Sequence, residues 1–265
     1  MTAHEELIVA RSHEGAVVEV TFNRPHRHNA FTSVMYAELR ALFAGLQGDE
    51  AARVVVFRGA GAMAFAAGND IAEFAGMTQG AQAVAYEANV RALLQELARL
   101  PQVSVAAIDG LCVGGGLAVA TYCDLRVATT ASRFGYPIAR TLGNALSRPL
   151  LERCVHVFGE STTRQMLLAS RLIDARRAYE LGALLAVADG RGDLDREVEA
   201  LIVGLLRAAP VTLRTTKEQL ADITSYAGDV EHDERMLERV YGGPAFAEGV
   251  RAFLAKEKPD FTGLR

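Results

Sequence analysis

The chain has 265 residues, of which half are hydrophobic, and its 28 Lys and Arg against 32 Asp and Glu leave a formal net charge of −4. This balance argues against nucleic acid as a partner, because nucleic-acid binding requires a strongly basic surface. The length fits one large domain, or one domain with an appendage, and is enough to bury a sizeable core.

The cysteines and the apolar stretches narrow the class of protein further. Cys112, Cys123 and Cys154 lie in apolar surroundings and lack the paired short spacing of a zinc site. We therefore expect reduced core thiols, no metal and no bound cofactor. The longest uncharged stretch, 110–123, is too short and too rich in glycine to span a bilayer. A cytoplasmic protein with no membrane partner is the expectation.

The first hundred residues alternate between strand and helix patterns. Runs of β-branched residues predict strands, and spaced apolar residues after a capping Thr32 predict a helix. The predicted elements are strands at 7–10 and 17–22, a helix that begins at about 32, a strand at 53–58, a loop that enters a helix near 70, and a long helix within 79–100.

The rest of the chain continues with a buried strand and two further strands among helices, and becomes wholly helical only from 193. Residues 103–108 (VSVAAI) form a short apolar run typical of a buried strand, and glycines 114–116 join it to an apolar helix. The further predicted elements are a strand at 124–128, a loop with a helical turn at 134–144, a helix at 147–158 between a Ser147 cap and Gly159, a helix at 174–181, a strand at 184–187, and helices over 193–265 broken at 210, 227–229 and 242–244.

The three successive glycines, 114–116, remove every Cβ from the first turn of the central helix. The N–H groups at a helix start have no partner within the helix and lie at the positive end of its dipole. Such a turn can present bare donors to a carbonyl oxygen or a developing oxyanion. The alternative is that the small residues only let the helix pack closely on the strand. The triplet alone leaves both interpretations open.

Four motifs occur in order along the chain: NRPHRHNA at 23–30, FAAGNDI at 65–71, GGG with CDLRVA at 114–116 and 123–128, and R-x-I-x-A-x-x-A-x-x-x-G at 171–182. Together they resemble the motifs of the crotonase family, also called the enoyl-CoA hydratase/isomerase family, over nearly the full length. The resemblance implies an α/β fold, with a crotonase-like spiral of β-β-α turns over 1–192 and a helical C-terminal trimerisation region over 193–265.

The resemblance also implies a substrate and a site. Proteins of this family bind acyl-CoA thioesters, so coenzyme A enters as part of the substrate, and they assemble as homotrimers or as dimers of trimers. Two main-chain N–H groups hold the thioester oxygen, and by position these belong to Asn69 and Gly115. The residues implied to bind the substrate are His28, Asn29, Ala30, Ala66, Ala67, Gly68, Asp70, Ile71, Gly114, Tyr136, Ile138 and Lys256.

Several side chains near these positions have two interpretations each. Arg24, Arg27, Lys256 and Lys258 are candidates for the phosphates of coenzyme A, or they are solvated surface cations. The side chain of Asn69 either adds a donor near the thioester or points into its own loop.

The chain departs from the family's hydratases at both acid/base positions. Those enzymes carry one glutamate two residues after the glycine triplet and another after the proline of F-G-x-P, and here these positions are Ala118 and Ile138. Neither side chain activates water or delivers a proton, and hydration needs both steps. We therefore expect enolate chemistry other than hydration, namely decarboxylation, isomerisation or thioester hydrolysis.

A catalytically silent CoA-binding or assembly protein is the alternative from another class. A dinucleotide-binding oxidoreductase is rejected, because Gly110 and the 114–116 triplet do not form G-x-G-x-x-G.

Five further polar side chains are candidates to replace the missing glutamates or to contact substrate, with structural or exposed roles as the alternative. They are Glu73, Glu87, Tyr136, Arg140 and Asn144. Arg140 stands out, because a cation in an acyl pocket would favour a substrate carboxylate, as in a malonyl-type thioester. Arg140 and Asn144 are therefore assigned to the catalytic group with Asn69 and Gly115.

Overall fold

The structure is a computed structural model that describes residues 5–76, 80–224 and 230–261. Its strands are β1 Leu7–Ser12, β2 Val17–Phe22, β3 Val54–Gly59, β4 Ala64–Ala66, β5 Val103–Ile108, β6 Leu111–Val113, β7 Leu125–Thr129, β8 Arg133–Gly135, β9 Ile173–Asp174 and β10 Ala186–Ala188. Its helices are α1 Ser33–Leu46, α2 Gly80–Ala98, α3 Gly115–Tyr122, α4 Ile138–Thr141, α5 Arg148–Phe158, α6 Glu160–Leu168, α7 Ala175–Glu180, α8 Arg191–Arg207, α9 Pro210–Ile223, α10 Val230–Tyr241 and α11 Pro244–Ala255.

In the described residues the strands form two sheets, and the chain passes repeatedly from one sheet to the other. One sheet has the order β1-β2-β3-β5-β7-β10 and the second has the order β4-β6-β8-β9. Strands β3, β5 and β7 pair in parallel in the first sheet, and β4, β6 and β8 pair in parallel in the second. Each pair of strands is thus one turn of a spiral, which confirms the predicted α/β fold.

Local sequence signals account for the starts of four helices. The side-chain oxygen of Thr32 accepts the N–H of Met35 at 3.1 Å, and Asp174 accepts the N–H of Arg177 at 2.8 Å, so both residues cap their helices. Pro210 and Pro244 each occupy the first helical position, where the missing N–H costs nothing. The predicted break at 227–229 lies outside the described residues.

Some predicted elements need correction. The glycine triplet was expected to join β5 directly to a helix, but the chain first crosses to the second sheet as β6. Strand β4 was predicted as loop, because a three-residue strand is too short to show a period. The side chain of Ser147 makes no capping bond to α5, and β10 begins at Ala186 rather than at residue 184.

Two predictions about chain organisation stay predictions. The boundary at 192 and 193 falls in the first turn of α8, and α8 packs on the first sheet. The predicted trimerisation role of the C-terminal helices is likewise untested. In the described ranges, no helix combines the length and the apolar character that crossing a bilayer requires.

An aromatic cluster fixes the segments that lead to the two central motifs. The ring of Phe22 packs edge-to-face on Phe31, with centroids 4.8 Å apart, and on Phe65, with centroids 5.3 Å apart. All three rings are fully buried. Because aromatic pairs of this geometry add to the free energy of burial, the cluster ties β2 to the chain before α1 and to β4.

An ion pair between a buried lysine and a half-buried aspartate connects α9 to the core. The Lys217 ammonium donates to Asp124 Oδ2 at 2.6 Å and to the carbonyl oxygen of Gln102 at 2.7 Å, and its side chain is only 7% exposed. The same Asp124 oxygen accepts the N–H and the hydroxyl of Ser104, both at 2.7 Å. Asp124 of the CDLRVA motif therefore links α9 to β5.

Replacing Lys217 by Met should destabilise the fold. The substitution leaves the Asp124 carboxylate without its counter-charge. Because that carboxylate is 28% exposed, the cost lies between those of a surface pair and a fully buried pair, about 2 kcal/mol. Urea unfolding followed by circular dichroism measures the change. The exposed Lys258→Met is the control and should unfold like the wild type. Equal midpoints for both variants would show that the ion pair contributes nothing.

The buried thiols should make the fold sensitive to alkali. Burial raises the pKa of Cys123 from its ordinary value of 9.0 to about 12, so the folded chain keeps a proton that the unfolded chain releases. The stability that this proton brings is complete below pH 9.0 and is lost as the pH rises to about 12. Urea unfolding at increasing pH should therefore show a shallower alkaline loss for Cys123→Ala than for the wild type. Parallel slopes would contradict this origin.

Candidate active site

The NRPHRHNA motif has a structural role next to the cavity. The Arg24 side chain is 11% exposed, and its guanidinium contacts Glu6 at 3.0 Å, Asp70 at 2.8 Å and the carbonyl oxygen of Ala30 at 2.6 Å. Burial raises the pKa of Asp70, but the hydrogen bonds from Arg24 and from the N–H of Ala72 outweigh it and lower the pKa below its usual value. Arg24 is therefore neither a phosphate ligand nor a solvated cation, because its charge is already paired.

Asn29 of the same motif is also structural. It is fully buried, and its amide donates to the carbonyl oxygens of Ala60 at 2.9 Å and Ala64 at 2.7 Å. Its Oδ1 accepts the N–H of Arg24 at 3.0 Å. His28 beside it is exposed and has a left-handed φ of 50°, while its carbonyl oxygen accepts the N–H of Ala67. The motif thus holds the start of the FAAGNDI segment.

Two glycine turns meet where β4 and β6 end. Gly114 has a φ of +54° that only glycine adopts easily, and a Cβ on it would lie 3.3 Å from the Cα of Gly68. A Cβ on Gly116 would lie 2.2 Å from the carbonyl oxygen of Ala66. Close packing, one of the two interpretations of the triplet, is therefore the role of Gly116.

The N–H groups of Asn69 and Gly115 are not used in the hydrogen bonds that their neighbours make to Phe31 or within α3. Phe31 donates to the carbonyl oxygen of Gly68 at 2.8 Å and accepts the N–H of Asp70 at 2.7 Å. The N–H of Asn69, between those two residues, therefore points away from Phe31. Gly115 is the first residue of α3, so its N–H has no partner within the helix.

Both residues line a cavity of about 220 Å³. Its wall is mainly apolar and comes from the two glycine turns, α2, α3, the α4 region and the exposed ring of Phe253 in α11. Ala118 and Ile138 both belong to this wall. The predicted site residues that line the cavity are Ala67, Gly68, Asn69, Ile71, Gly114, Gly115, Tyr136, Ile138 and Asn144.

The side chain of Asn69 lies across Gly115 rather than in its own loop. Its Oδ1 is 2.6 Å from the place where a Cβ of Gly115 would be, and it accepts the hydroxyl of Tyr36 at 2.6 Å. Burial and the negative charge of Glu87 raise the pKa of the Tyr36 hydroxyl well above its usual value. Tyr36 therefore stays protonated and donates, which fixes the orientation of the Asn69 amide.

A second chain of hydrogen bonds ends on a carboxylate in the cavity wall. The hydroxyl of Tyr241 donates to Glu87 Oε1 at 2.5 Å and accepts from Asn144 Nδ2 at 3.1 Å. Burial and the charge of Glu87 raise the pKa of Tyr241. Glu87 is 8% exposed and is the only acidic side chain among the described residues that line this cavity.

The remaining candidates lie elsewhere. Both oxygens of Glu73 accept the N–H of Ser33 at the start of α1, at 3.0 and 2.9 Å, so Glu73 is a structural cap. Arg140 is exposed and is absent from the described wall of the cavity, which corrects its assignment as a pocket cation. Ala66 and Asp70 also lie outside that wall.

The hydroxyl of Tyr136 is buried without a partner among the described residues, and burial raises its pKa. The side chains of Arg27, Lys256 and Lys258 are exposed, and their contact with phosphates stays a prediction. In the described ranges no cluster of three His, Cys, Asp or Glu side chains could hold a metal ion.

The sequence profile of the family described as enoyl-CoA hydratase/isomerase matches residues 12–264, which include every residue of the cavity wall. The chain belongs to this family, the crotonases. It is therefore a crotonase-family enzyme. The site just described lies at the family's glycine motifs.

Known crotonases resemble the chain in sequence and in fold. A putative enoyl-CoA hydratase of Thermus thermophilus is 32% identical over 253 residues, which cover 94% of this chain and 98% of the relative. The crystal structure of an enoyl-CoA hydratase/carnithine racemase from Magnetospirillum magneticum has a TM-score of 0.78 at 34% identity and covers 98% and 96% of the two chains. Methylmalonyl-CoA decarboxylase in complex with 2-nitronate-propionyl-CoA has a TM-score of 0.86 at 23% identity, with coverage of 98% and 100%, and shows likeness of fold alone.

Sequence reasoning missed three side chains of this crotonase site. Tyr36, Tyr241 and Phe253 lie on α1, α10 and α11, outside all four motifs. Tyr241 is 154 residues from its partner Glu87, and no local pattern signals a contact at that distance. The buried positions of α1 were predicted from their spacing, but the spacing does not indicate that a neighbouring tyrosine supports the Asn69 amide.

Replacing Gly116 by Ala should destabilise the protein. The new Cβ would meet a backbone oxygen, which has no room to move, and overpacking of this kind costs about 1–3 kcal/mol. Gly204→Ala in α8 is the matched control, because nothing lies within 4 Å of its Cβ position. Chemical unfolding should separate the two variants, and equal stability would disprove the close contact.

Proposed function

We propose that this chain acts on acyl-CoA thioesters through an enolate and moves a carbon–carbon double bond rather than adding water. The observation that carries the proposal is the composition of the cavity wall. It combines residues of two glycine turns, Asn69 and Gly115 among them, with Ala118 and Ile138 at the positions where the family's hydratases have glutamates. Such a cavity favours enolate formation and disfavours activation of water.

The N–H groups of Asn69 and Gly115 are proposed to bind the thioester oxygen. Both residues line the cavity. The N–H of Asn69 points away from Phe31, and the N–H of Gly115 lies at the start of α3. Donors that are already positioned stabilise the charge that develops on the oxygen, and removal of one typically costs about 3 kcal/mol of activation free energy. The dipole of α3 adds to this effect, because Gly115 opens the helix.

Hydration should be poor because its proton-transfer groups are missing. The reaction needs one group that activates water and one that delivers a proton, and each contributes about 10²–10⁴-fold to the rate. Alanine and isoleucine supply neither. A double-bond shift needs only one group, since the proton removed from one carbon is the proton returned to another.

The same wall disfavours decarboxylation, the other reaction that the sequence suggested. No Lys, Arg or His is present among the described residues that line the cavity. The carboxylate of a malonyl-type thioester would therefore enter an apolar cavity without a cation and beside Glu87. Burial of an unpaired charge next to a like charge is unfavourable.

The volume favours a short acyl group. About 220 Å³ is small against the roughly 300–1,000 Å³ of sites for drug-sized ligands. A four-carbon chain is the substrate class proposed, with the rest of coenzyme A along the surface near the NRPHRHNA motif.

A panel of three thioesters tests this function. Vinylacetyl-CoA should be converted to crotonyl-CoA, whereas crotonyl-CoA should be hydrated at least about 10²-fold more slowly and methylmalonyl-CoA should stay intact. Mass spectrometry and proton NMR of the products distinguish these reactions.

Hydration at the rate of isomerisation would overturn the proposal. Tight binding of all three thioesters without conversion would instead support a silent CoA-binding protein. Loss of carbon dioxide from methylmalonyl-CoA would favour decarboxylation.

A further inference from the structure

We infer that Glu87 of α2 carries the proton in this site, and that Tyr241 of α10 and Asn144 hold its carboxylate in place. The inference rests on the proposed function, because a proton carrier has a role only where an enolate forms. It places the acid/base group on α2, whereas the two hydratase positions, Ala118 and Ile138, lie on α3 and α4.

The proton movement balances with one carboxylate. Glu87 removes a proton from C2 of a 3-enoyl thioester, so the C2–H bond breaks and a carboxyl O–H bond forms. The electron pair moves into the thioester carbonyl, and the N–H groups of Asn69 and Gly115 hold the dienolate oxygen. The carboxyl group then returns the proton to C4 as the double bond moves to C2–C3 and the carbonyl re-forms. No oxidant, water or second base takes part.

Burial and position support this role for Glu87. Its side chain is 8% exposed, and it lies in the same cavity wall as Asn69 and Gly115. Its charge also reaches the oxyanion side of the cavity, since it raises the pKa of Tyr36, whose hydroxyl donates to the Asn69 amide.

The hydrogen-bond chain behind Glu87 has a fixed direction. Asn144 Nδ2 can only donate, so the Tyr241 oxygen accepts it at 3.1 Å and the Tyr241 proton is directed to Glu87 Oε1 at 2.5 Å. Chains of this kind polarise one another inside a protein. Tyr241 is therefore a positioning residue: it orients the carboxylate without touching substrate.

The arrangement gives the C-terminal helices a part in catalysis. Tyr241 is the last residue of α10, and it packs with Phe246 of α11, with ring centroids 4.7 Å apart. Phe74, after the oxyanion segment, joins the same apolar cluster. Helices α10 and α11 thus fix the position of the Glu87 carboxylate through Tyr241.

Three variants test the inference. Glu87→Gln keeps an acceptor for the Tyr241 hydroxyl but cannot take a proton, so kcat for vinylacetyl-CoA should fall by about 10²–10⁴-fold with little change in KM. Tyr241→Phe should lower kcat about tenfold, again without a change in KM, because one hydrogen bond to the carboxylate is lost. Glu96→Gln on the same helix is the control, since its carboxylate pairs with Arg40 at 2.8 Å outside the cavity, and it should match the wild type.

Two further measurements separate catalysis from structure. Exchange of the C2 protons of butyryl-CoA with D₂O, followed by NMR, reports enolate formation without any later step, and calorimetry reports binding of the same thioester. Formate should restore part of the exchange in Glu87→Ala, because the vacated space admits a small carboxylate. A purely structural role would give no such rescue.

The outcomes distinguish the two proposals. Full exchange by Glu87→Gln would overturn the role of Glu87 and leave the enolate chemistry standing. Binding of butyryl-CoA by the wild type with neither exchange nor isomerisation would overturn both. Loss of exchange in Glu87→Gln with binding retained, and rescue of Glu87→Ala by formate, would support both.

Discussion

The structure depends on the close backbone contact between two turns that are built from glycine and alanine where they meet. Gly116 lies so close to the carbonyl oxygen of Ala66 that a Cβ would overlap with it. A Cβ on Gly114 would make a tight contact of 3.3 Å with the Cα of Gly68. The spiral brings these turns together, because β4 and β6 are parallel neighbours in the second sheet. Asn69 and Gly115 follow directly on this contact, so their N–H groups are placed by main-chain packing and not by flexible side chains.

Two tyrosines then connect this rigid centre to helices that lie far away in the sequence. Tyr36 of α1 orients the Asn69 amide on the oxyanion side, and Tyr241 of α10 holds the Glu87 carboxylate in the cavity wall. Burial keeps both hydroxyls protonated, so each is a committed donor. A hydrogen bond to a charged or fixed acceptor is worth more in such a poorly solvated place than at the surface. Asn69 and Glu87 in the cavity wall are therefore oriented by tyrosines that do not themselves line the cavity.

The sequence predicted the elements that depend on neighbouring residues and missed the contacts between residues far apart in the chain. Thr32 and Asp174 each cap a helix by a hydrogen bond to the residue three positions later, and residues 103–108 form the expected strand. These elements could therefore be predicted from local pattern. Strands β4 and β6 have three residues each and depend on pairing that no local pattern encodes. The charge of Arg24 was noticed, but its partners Glu6 and Asp70 are separated from it in the chain, so its burial could not be foreseen. The motifs predicted Asn69 and Gly115 as the oxyanion donors, which stays a prediction, whereas Tyr241 belongs to no motif.

The proposed function implies that one scaffold can change its reaction while the two glycine turns stay in place. Those turns depend on backbone packing, and the side chains at 118 and 138 are small parts of the cavity wall that packing does not require to be acidic. In the proposed reaction, the absence of carboxylates at 118 and 138 removes the means to add water but leaves stabilisation of an enolate intact. One carboxylate on α2 then has a different consequence from two on α3 and α4. A single group that takes and returns the same proton suits a shift of a double bond, since the substrate neither gains nor loses an atom. On the proposed function, the number of carboxylates, rather than the fold, decides between hydration and isomerisation.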